Sequence, residues 1–210
     1  IGTVSITEDA NTPTFVLSSG NATITCSVPS PSVSLTSTVS NVSYSWSPSP
    51  SSGASTASPT FTAPGNYTCV ITNTVNNCST NLPQVAVINN TTIPTVNLTP
   101  SNSITCTNTL VTITSTVSSS SSTYTWTGPG IVGAVNNSSI TANTDGTYNL
   151  SVTDTDNGCT NNTATVSVTS NTTQPSITVS TTNNSVINCS TSSVTLTINS
   201  TDNPIWTVPT

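Results

Sequence analysis

The sequence predicts an all-β chain built from tandem antiparallel β-sandwich modules, stacked end to end. Three observations predict it. Apolar and polar residues alternate in short stretches such as Val166-Ser167-Val168, Ile177-Thr178-Val179 and Val194-Thr195-Leu196-Thr197-Ile198, the period of two of a half-buried strand. No apolar stripe at helical spacing persists, and strong helix formers are scarce. The landmarks of one module then recur in the same order: Trp46, Trp126 and Trp206 are evenly spaced, and Ile24-Thr25-Cys26 returns as Ile104-Thr105-Cys106 and Ile187-Asn188-Cys189. Internal repetition at a fixed period is the signature of an array.

Each element of the module has its own signal. An opening strand is expected at Val4 to Ile6, Val96 to Leu98 and Ile177 to Val179, followed by a strand entering at the cysteine. A strand ending in Tyr-x-Trp comes next, then a Ser/Pro/Gly-rich turn at Pro48 to Gly53 and at Gly128-Pro129-Gly130. Gly65-Asn66-Tyr67 and Gly146-Thr147-Tyr148 open a further strand. It ends in an Asn-rich hairpin loop carrying Cys78 or Cys159, and a closing strand follows at Val85 to Ile88 or Ala164 to Val168. Short strands punctuated by closely and regularly placed turn signals mark an antiparallel sandwich. The expected division is 1–92, with an insert at 11–20, then 93–174, then the start of a third repeat at 175–210 completed by later chain or by a neighbouring subunit.

Composition excludes much chemistry. Of 210 residues none is Lys, Arg or His, and six are acidic, giving a net charge of −6. More than half are Ser, Thr or Asn. Without cations the chain has no grip on phosphate, so neither nucleic acid nor an anionic membrane surface is an expected partner. The Ser-His-Asp and Cys-His relays, a Schiff-base lysine and histidine metal sites are ruled out as well. No run of 18 apolar residues exists, so no spanning helix is expected, and the first residues lack the basic and apolar regions of a signal peptide. The expectation is a non-catalytic chain without cofactor.

The phrases Tyr124-Thr125-Trp126-Thr127-Gly128-Pro129-Gly130, Gly146-Thr147-Tyr148-Asn149-Leu150-Ser151-Val152-Thr153-Asp154 and Asn157-Gly158-Cys159-Thr160 resemble the Ig-like or PKD-like repeats of giant Bacteroidetes (flavobacterial) cell-surface adhesins, the gliding-motility adhesins among them. The resemblance covers repeat two and, less closely, repeats one and three. It implies an extracellular, cell-surface array serving as stalk or adhesin, with no catalytic residue to carry over.

Six cysteines without a Cys-x-x-Cys pair or a histidine point to disulfides and an oxidising compartment rather than zinc. Repeat two holds only Cys106 and Cys159, so internal closure requires that pair. By position Cys26 pairs with Cys78. The succession Cys26…Trp46…Tyr67-Thr68-Cys69 equally fits the immunoglobulin pattern, in which Cys26 pairs with Cys69, and the unpaired thiol is then a small buried hydrophobe. Cys189 is expected to pair outside the chain. Trp46, Trp126 and Trp206, one per repeat, are expected core anchors rather than sugar platforms, with Tyr67 and Tyr148 packed beside them and their hydroxyls bonded to nearby backbone.

Asp154 and Asp156 precede a Gly-containing loop and are the candidates for Ca²⁺. Two carboxylates are few and the first repeat has Asn73 and Val75 there, so the reading is solvated loop acids. Asn21, Asn41, Asn66, Asn89, Asn149 and Asn171 head Asn-x-Ser/Thr sequons. A glycan coat there would also block edge-to-edge strand pairing, which no lysine gatekeeper opposes here. The expected function is an extracellular structural or adhesive repeat forming a cell-surface stalk or filament, by self-association or as part of a longer repeat chain. The alternative is a glycan- or protein-binding adhesin module using loops at one end, at Asn11 to Gly20 and Ile131 to Ser139. The absence of Lys and Arg removes every trypsin-type cleavage site, an advantage outside the cell.

Overall fold

The computed structural model describes residues 2–181, 186–200, 205 and 207. Among them there is no helix. The first unit contains β1 (Phe15–Leu17), β2 (Asn21–Thr25), β3 (Leu35–Ser37), β4 (Val42–Ser47), β5 (Gly65–Asn73), β6 (Ser79–Asn81) and β7 (Val85–Asn90). The second contains β8 (Val96–Pro100), β9 (Ile104–Thr105), β10 (Val111–Val117), β11 (Ser122–Thr127), β12 (Ile131–Val132), β13 (Ser139–Ala142), β14 (Gly146–Asp154), β15 (Thr160–Val168) and β16 (Ser170–Asn171). Beyond them β17 (Ile177–Thr181) pairs antiparallel with β18 (Leu196–Ser200).

In the second unit one sheet runs β12-β13-β10-β8 and the facing one β11-β14-β15, with β9 parallel to β16 at its edge. That is the two-sheet arrangement of an immunoglobulin-like sandwich. The first unit repeats it: β1 pairs with β3, while β2, β7, β5 and β4 line up with β6 on β5. Strand alternation fills the cores. Along β5 the buried residues are Tyr67, Cys69, Ile71 and Asn73; along β14 they are Tyr148, Leu150 and Val152. Trp46 faces Cys69 in the register of β4 on β5, as Trp126 faces Leu150 in that of β11 on β14. One core centres on Trp46, Phe61 and Tyr67, with Phe61 4.6 Å from Tyr67 between ring centroids. The other centres on Trp126, Ile113, Tyr148 and Leu150.

The opening strand of the first unit is not Val4 to Ile6. Residues 2–12 form no strand, and Val4 and Ile6 are exposed. Phe15–Leu17, inside the expected insert, pairs with β3 as β8 pairs with β10. The two equivalent backbone bonds, Thr38 N–H to Thr14 O and Ser118 N–H to Thr95 O, place Thr14 at the position of Thr95. Hence residues 11–20 are the start of the sandwich itself, and residues 2–10 precede it. The sequence misleads because Val4-Ser5-Ile6 has cleaner alternation than Phe15-Val16-Leu17.

Candidate functional site: the junction between the sandwich units

The expected core anchors are used as such in both described units. The indole N–H of Trp46 donates to Thr56 O at 3.0 Å and that of Trp126 to Asn137 O at 2.9 Å. Both rings are buried, with no face for a sugar. Tyr67 Oη donates to Ala63 O at 3.0 Å, and Tyr148 Oη lies between the carbonyls of Thr144 and Pro129. This is the tyrosine corner of immunoglobulin-like domains. Burial, and secondarily the negative charge of Asp145, pushes the Tyr148 phenol up. Trp206 lies outside the described residues.

The cysteines depart from every intramodular pairing. Cys26 is bonded to Cys159 across 133 residues, with Cα atoms 5.0 Å apart. The expected Cys106–Cys159, Cys26–Cys78 and Cys26–Cys69 bonds are therefore not made. The topology explains why. β2 runs parallel to β7 with Thr25 beside Asn90, so Cys26 sits at the end where the chain leaves the first unit. β5 runs the other way, from Gly65 beside Val87 to Asn73, so its loop and Cys78 lie at the opposite end. Eight strand steps separate those ends by roughly 27 Å, against the 4.4–6.8 Å or so that a disulfide spans between Cα atoms. The same applies to Cys106, beyond Thr105, which pairs with Asn171, and to Cys159, past the far end of β14. Cys69 lies mid-strand and fully buried, and burial raises its thiol pKa, partly countered by a backbone hydrogen bond at Ser45. The turn cysteine of the first unit and the loop cysteine of the second, by contrast, meet where the units abut.

Around the disulfide the contact is polar and close. Asn157 is 2 % exposed. Its Nδ2 donates to Thr92 O at 3.0 Å and to Asn90 Oδ1 at 3.3 Å, while its Oδ1 accepts Cys159 N–H at 2.8 Å. Ser27 N–H donates to Asn157 O at 3.2 Å, binding the two units through backbone. Gly158 has φ +73°, and a Cβ there would fall 2.6 Å from Ser27 Cβ. Gly158 thus serves both a left-handed turn and the approach of Ser27. Sequence reasoning missed Asn157 and Ser27; the signal available was the recurrence of Asn76 at the position of Asn157.

Asp154 and Asp156 stand in that loop, but Asp154 Oδ1 accepts the Asp156 N–H at 2.9 Å, a local turn bond. Asn73 makes the same bond to Val75 N–H at 2.9 Å, so a neutral amide serves as well as the carboxylate. Among the described residues no group of three metal-ligating side chains assembles, and no pocket opens. Of the two expected binding loops, residues 11–20 hold β1, and residues 131–139 are drawn into the sheet by β12 and β13 and by Trp126 N–H on Val135 O. All six sequon asparagines are exposed.

No protein-family model matches the chain. No curated protein matches it either. Among solved structures, it is similar to the three N-terminal domains of the bacteriophage RB49 highly immunogenic outer capsid protein (Hoc), at 14% identity over 90% of this chain and 68% of that one, TM-score 0.43. Murine CEACAM1b aligns at 12% identity over 75% of this chain and 99% of its own, TM-score 0.31. The C-terminal fragment of intimin, solved with the intimin-binding domain of its translocated receptor, aligns at 18% identity over 87% of this chain and 68% of its own, TM-score 0.28.

Proposed function

We propose that this chain is a non-catalytic extracellular structural repeat, a stretch of a cell-surface stalk or filament whose sandwich units are locked end to end. The observation that carries this reading is the Cys26–Cys159 bond between units, not within them. A bond there adds nothing to either core, since it ties a turn of one unit to a loop of the next; what it fixes is their relative orientation. A disulfide also suits an oxidising compartment. The exposed sequons suit a glycan coat over sheet edges that carry no basic residue. Division into units at 1–92, 93–174 and 175–210 belongs to the same proposal, with the first sandwich starting near residue 11.

Electron microscopy of the native material tests it. Rods or fibres with an axial repeat of one sandwich length are expected, and compact isolated particles without end-to-end order would count against it.

A further inference from the structure

The free ends of this two-unit stack carry the same groups that are joined in its middle. The turn after the second strand occurs three times in one conformation. Thr25 N–H donates to Val28 O at 3.0 Å, Thr105 N–H to Asn108 O at 2.8 Å and Asn188 N–H to Thr191 O at 2.9 Å. In return Val28, Asn108 and Thr191 donate their N–H groups to the side-chain oxygens of Thr25, Thr105 and Asn188 at 2.9, 2.9 and 3.0 Å. Cys26, Cys106 and Cys189 are the second residues of these turns, and Cys106 and Cys189 are free and exposed.

The hairpin loop likewise occurs twice. Asn73 N–H to Cys78 O, 2.8 Å, matches Asp154 N–H to Cys159 O, 2.9 Å. Cys78 N–H reaches Asn76 Oδ1 at 2.9 Å, as Cys159 N–H reaches Asn157 Oδ1 at 2.8 Å. Asn77 has φ 60° where Gly158 has 73°. Even the amide bond to the linker recurs, Asn76 Nδ2 on Asn11 O at 3.0 Å against Asn157 Nδ2 on Thr92 O at 3.0 Å. Cys78 is the free, part-exposed member of this class. The one disulfide formed joins a turn cysteine of one unit to the loop cysteine of the next.

A second observation points the same way. Asn11 and Thr92 accept the same bond, which fixes the offset between the starts of the two units. Continued upstream without a gap, that offset lays Thr3-Val4-Ser5-Ile6-Thr7 on Gln84-Val85-Ala86-Val87-Ile88, and one more step lays it on Thr165-Val166-Ser167-Val168-Thr169. Val85 and Val87 close the first sandwich at 0% and 3% exposure, whereas Val4 and Ile6 stand at 87% and 92%. Residues 3–7 have the pattern of a closing strand and no sandwich of their own.

From these we infer that Cys78 and Cys106 are half-cystines of further junctions of the Cys26–Cys159 kind. Cys78 takes the turn cysteine of a preceding sandwich unit in the same chain, the unit that residues 3–7 close, and Cys106 takes the loop cysteine of the following unit. The inference rests on the proposed stack and adds its rule of linkage: turn cysteine of unit n to loop cysteine of unit n+1. Cys69, Leu150's counterpart in the core, has no part in it. Asn77 adds one constraint. It carries a Cβ where Gly158 has none, so the turn that meets Cys78 stands slightly further off than Ser27 does, or bears a smaller residue. Each bond forms by exchange with a small-molecule disulfide such as oxidised glutathione. One thiolate displaces a glutathione thiolate to give the mixed disulfide, and the second displaces the other, so two thiols become one disulfide and one glutathione disulfide becomes two thiols.

The test is disulfide mapping of native material, alkylated at once and digested with pepsin at acid pH, since trypsin has no site and acid prevents exchange. The expected products are Cys78 and Cys106 each linked to a cysteine peptide from outside residues 1–210, of turn type and loop type respectively, beside Cys26–Cys159. Alkylated, hence free, Cys78 or Cys106, or links of turn to turn or loop to loop, would overturn the linkage rule while leaving rods seen by microscopy untouched. A Cys78–Cys106 link would retain the rule and overturn the same-chain partner in favour of a second copy docked head to tail. Absence of rods with the links present would instead defeat the stalk reading.

Discussion

Among the described residues, Cys69 and Tyr148 are the two buried groups whose protons the fold holds more tightly than water does, in both cases first of all because burial disfavours the anion. A group with a raised pKa contributes stability that is intact below its ordinary pKa and lost as pH climbs through the folded value. Denaturant midpoints should therefore fall as pH rises from the ordinary thiol range into the phenol range, and Cys69→Val should remove the earlier part of that fall. A flat profile over that range, or one unchanged by the substitution, would show that neither proton is linked to folding. The same burial separates the thiols: a maleimide applied to residues 1–210 produced alone, where Cys78, Cys106 and Cys189 lack partners from outside the segment, is expected to label those three and to spare Cys69. At the junction, Asn157→Ala removes the acceptor of Cys159 N–H and the donor to Thr92 O together. Leaving such buried groups unpaired costs on the order of 1–3 kcal/mol. Guanidinium titration followed by tryptophan fluorescence measures it, and a change below a few tenths would mean that water replaces the amide.

Among the elements, the starts of the units decide how the repeat is cut. Asn11 O and Pro13 O accept hydrogen bonds from Asn76 Nδ2 and Thr80 Oγ1, and Phe15–Leu17 pairs with Leu35–Ser37. Deleting residues 2–10 is expected to leave the first unit's unfolding midpoint within experimental error, because those residues form no strand and their bond to it, Asn11 N–H to Asp9 Oδ1 at 3.3 Å, is a local, exposed one. Deleting residues 2–17 should unfold it, losing a strand and exposing the core beside Leu35. Equal effects of the two deletions, by circular dichroism on melting, would return the opening strand to Val4 to Ile6. Strand identity was readable wherever the signal is local: Tyr-x-Trp, Gly-x-Tyr and period-two runs name β4, β5, β11 and β14 through the side chains that each strand must bury. The phase of the repeat was not, because a closing strand and an opening strand carry the same alternation, and only pairing distinguishes Val4 from Val96. The disulfide was unreadable for a related reason. Spacing shows that a turn cysteine and a loop cysteine occur in each of the first two units, but the opposed directions of β2 and β5 put them at opposite ends, which is a property of the sheet and not of the spacing.

For the whole molecule, the units should be joined stiffly only while Cys26–Cys159 is intact. The linker, Thr91 to Pro94, is short and polar, and without the disulfide the remaining ties are the Asn157 and Ser27 bonds, each worth about 1 kcal/mol net. Closing a 133-residue loop contributes on the order of 5 kcal/mol when both units unfold together. Neither core contains the bond, however, so reduction is expected to act first on the angle between units. Small-angle scattering of the chain with Cys26→Ser, or of reduced chain, should show a broadened distance distribution, while the fluorescence of Trp46 and Trp126 stays that of buried indole. The double variant Cys26→Ser/Cys159→Ser should match the single one, since the surviving thiol has lost its partner. If reduction left the scattering profile unchanged, the polar contact alone would hold the units straight. If it quenched the buried indoles, the disulfide would belong to the folding of the cores and not to the stiffness of the shaft. The first outcome would make the cysteine pair a safeguard against forced separation, testable by pulling single molecules, where an oxidised junction should bear load until its units unfold and a reduced one should part earlier.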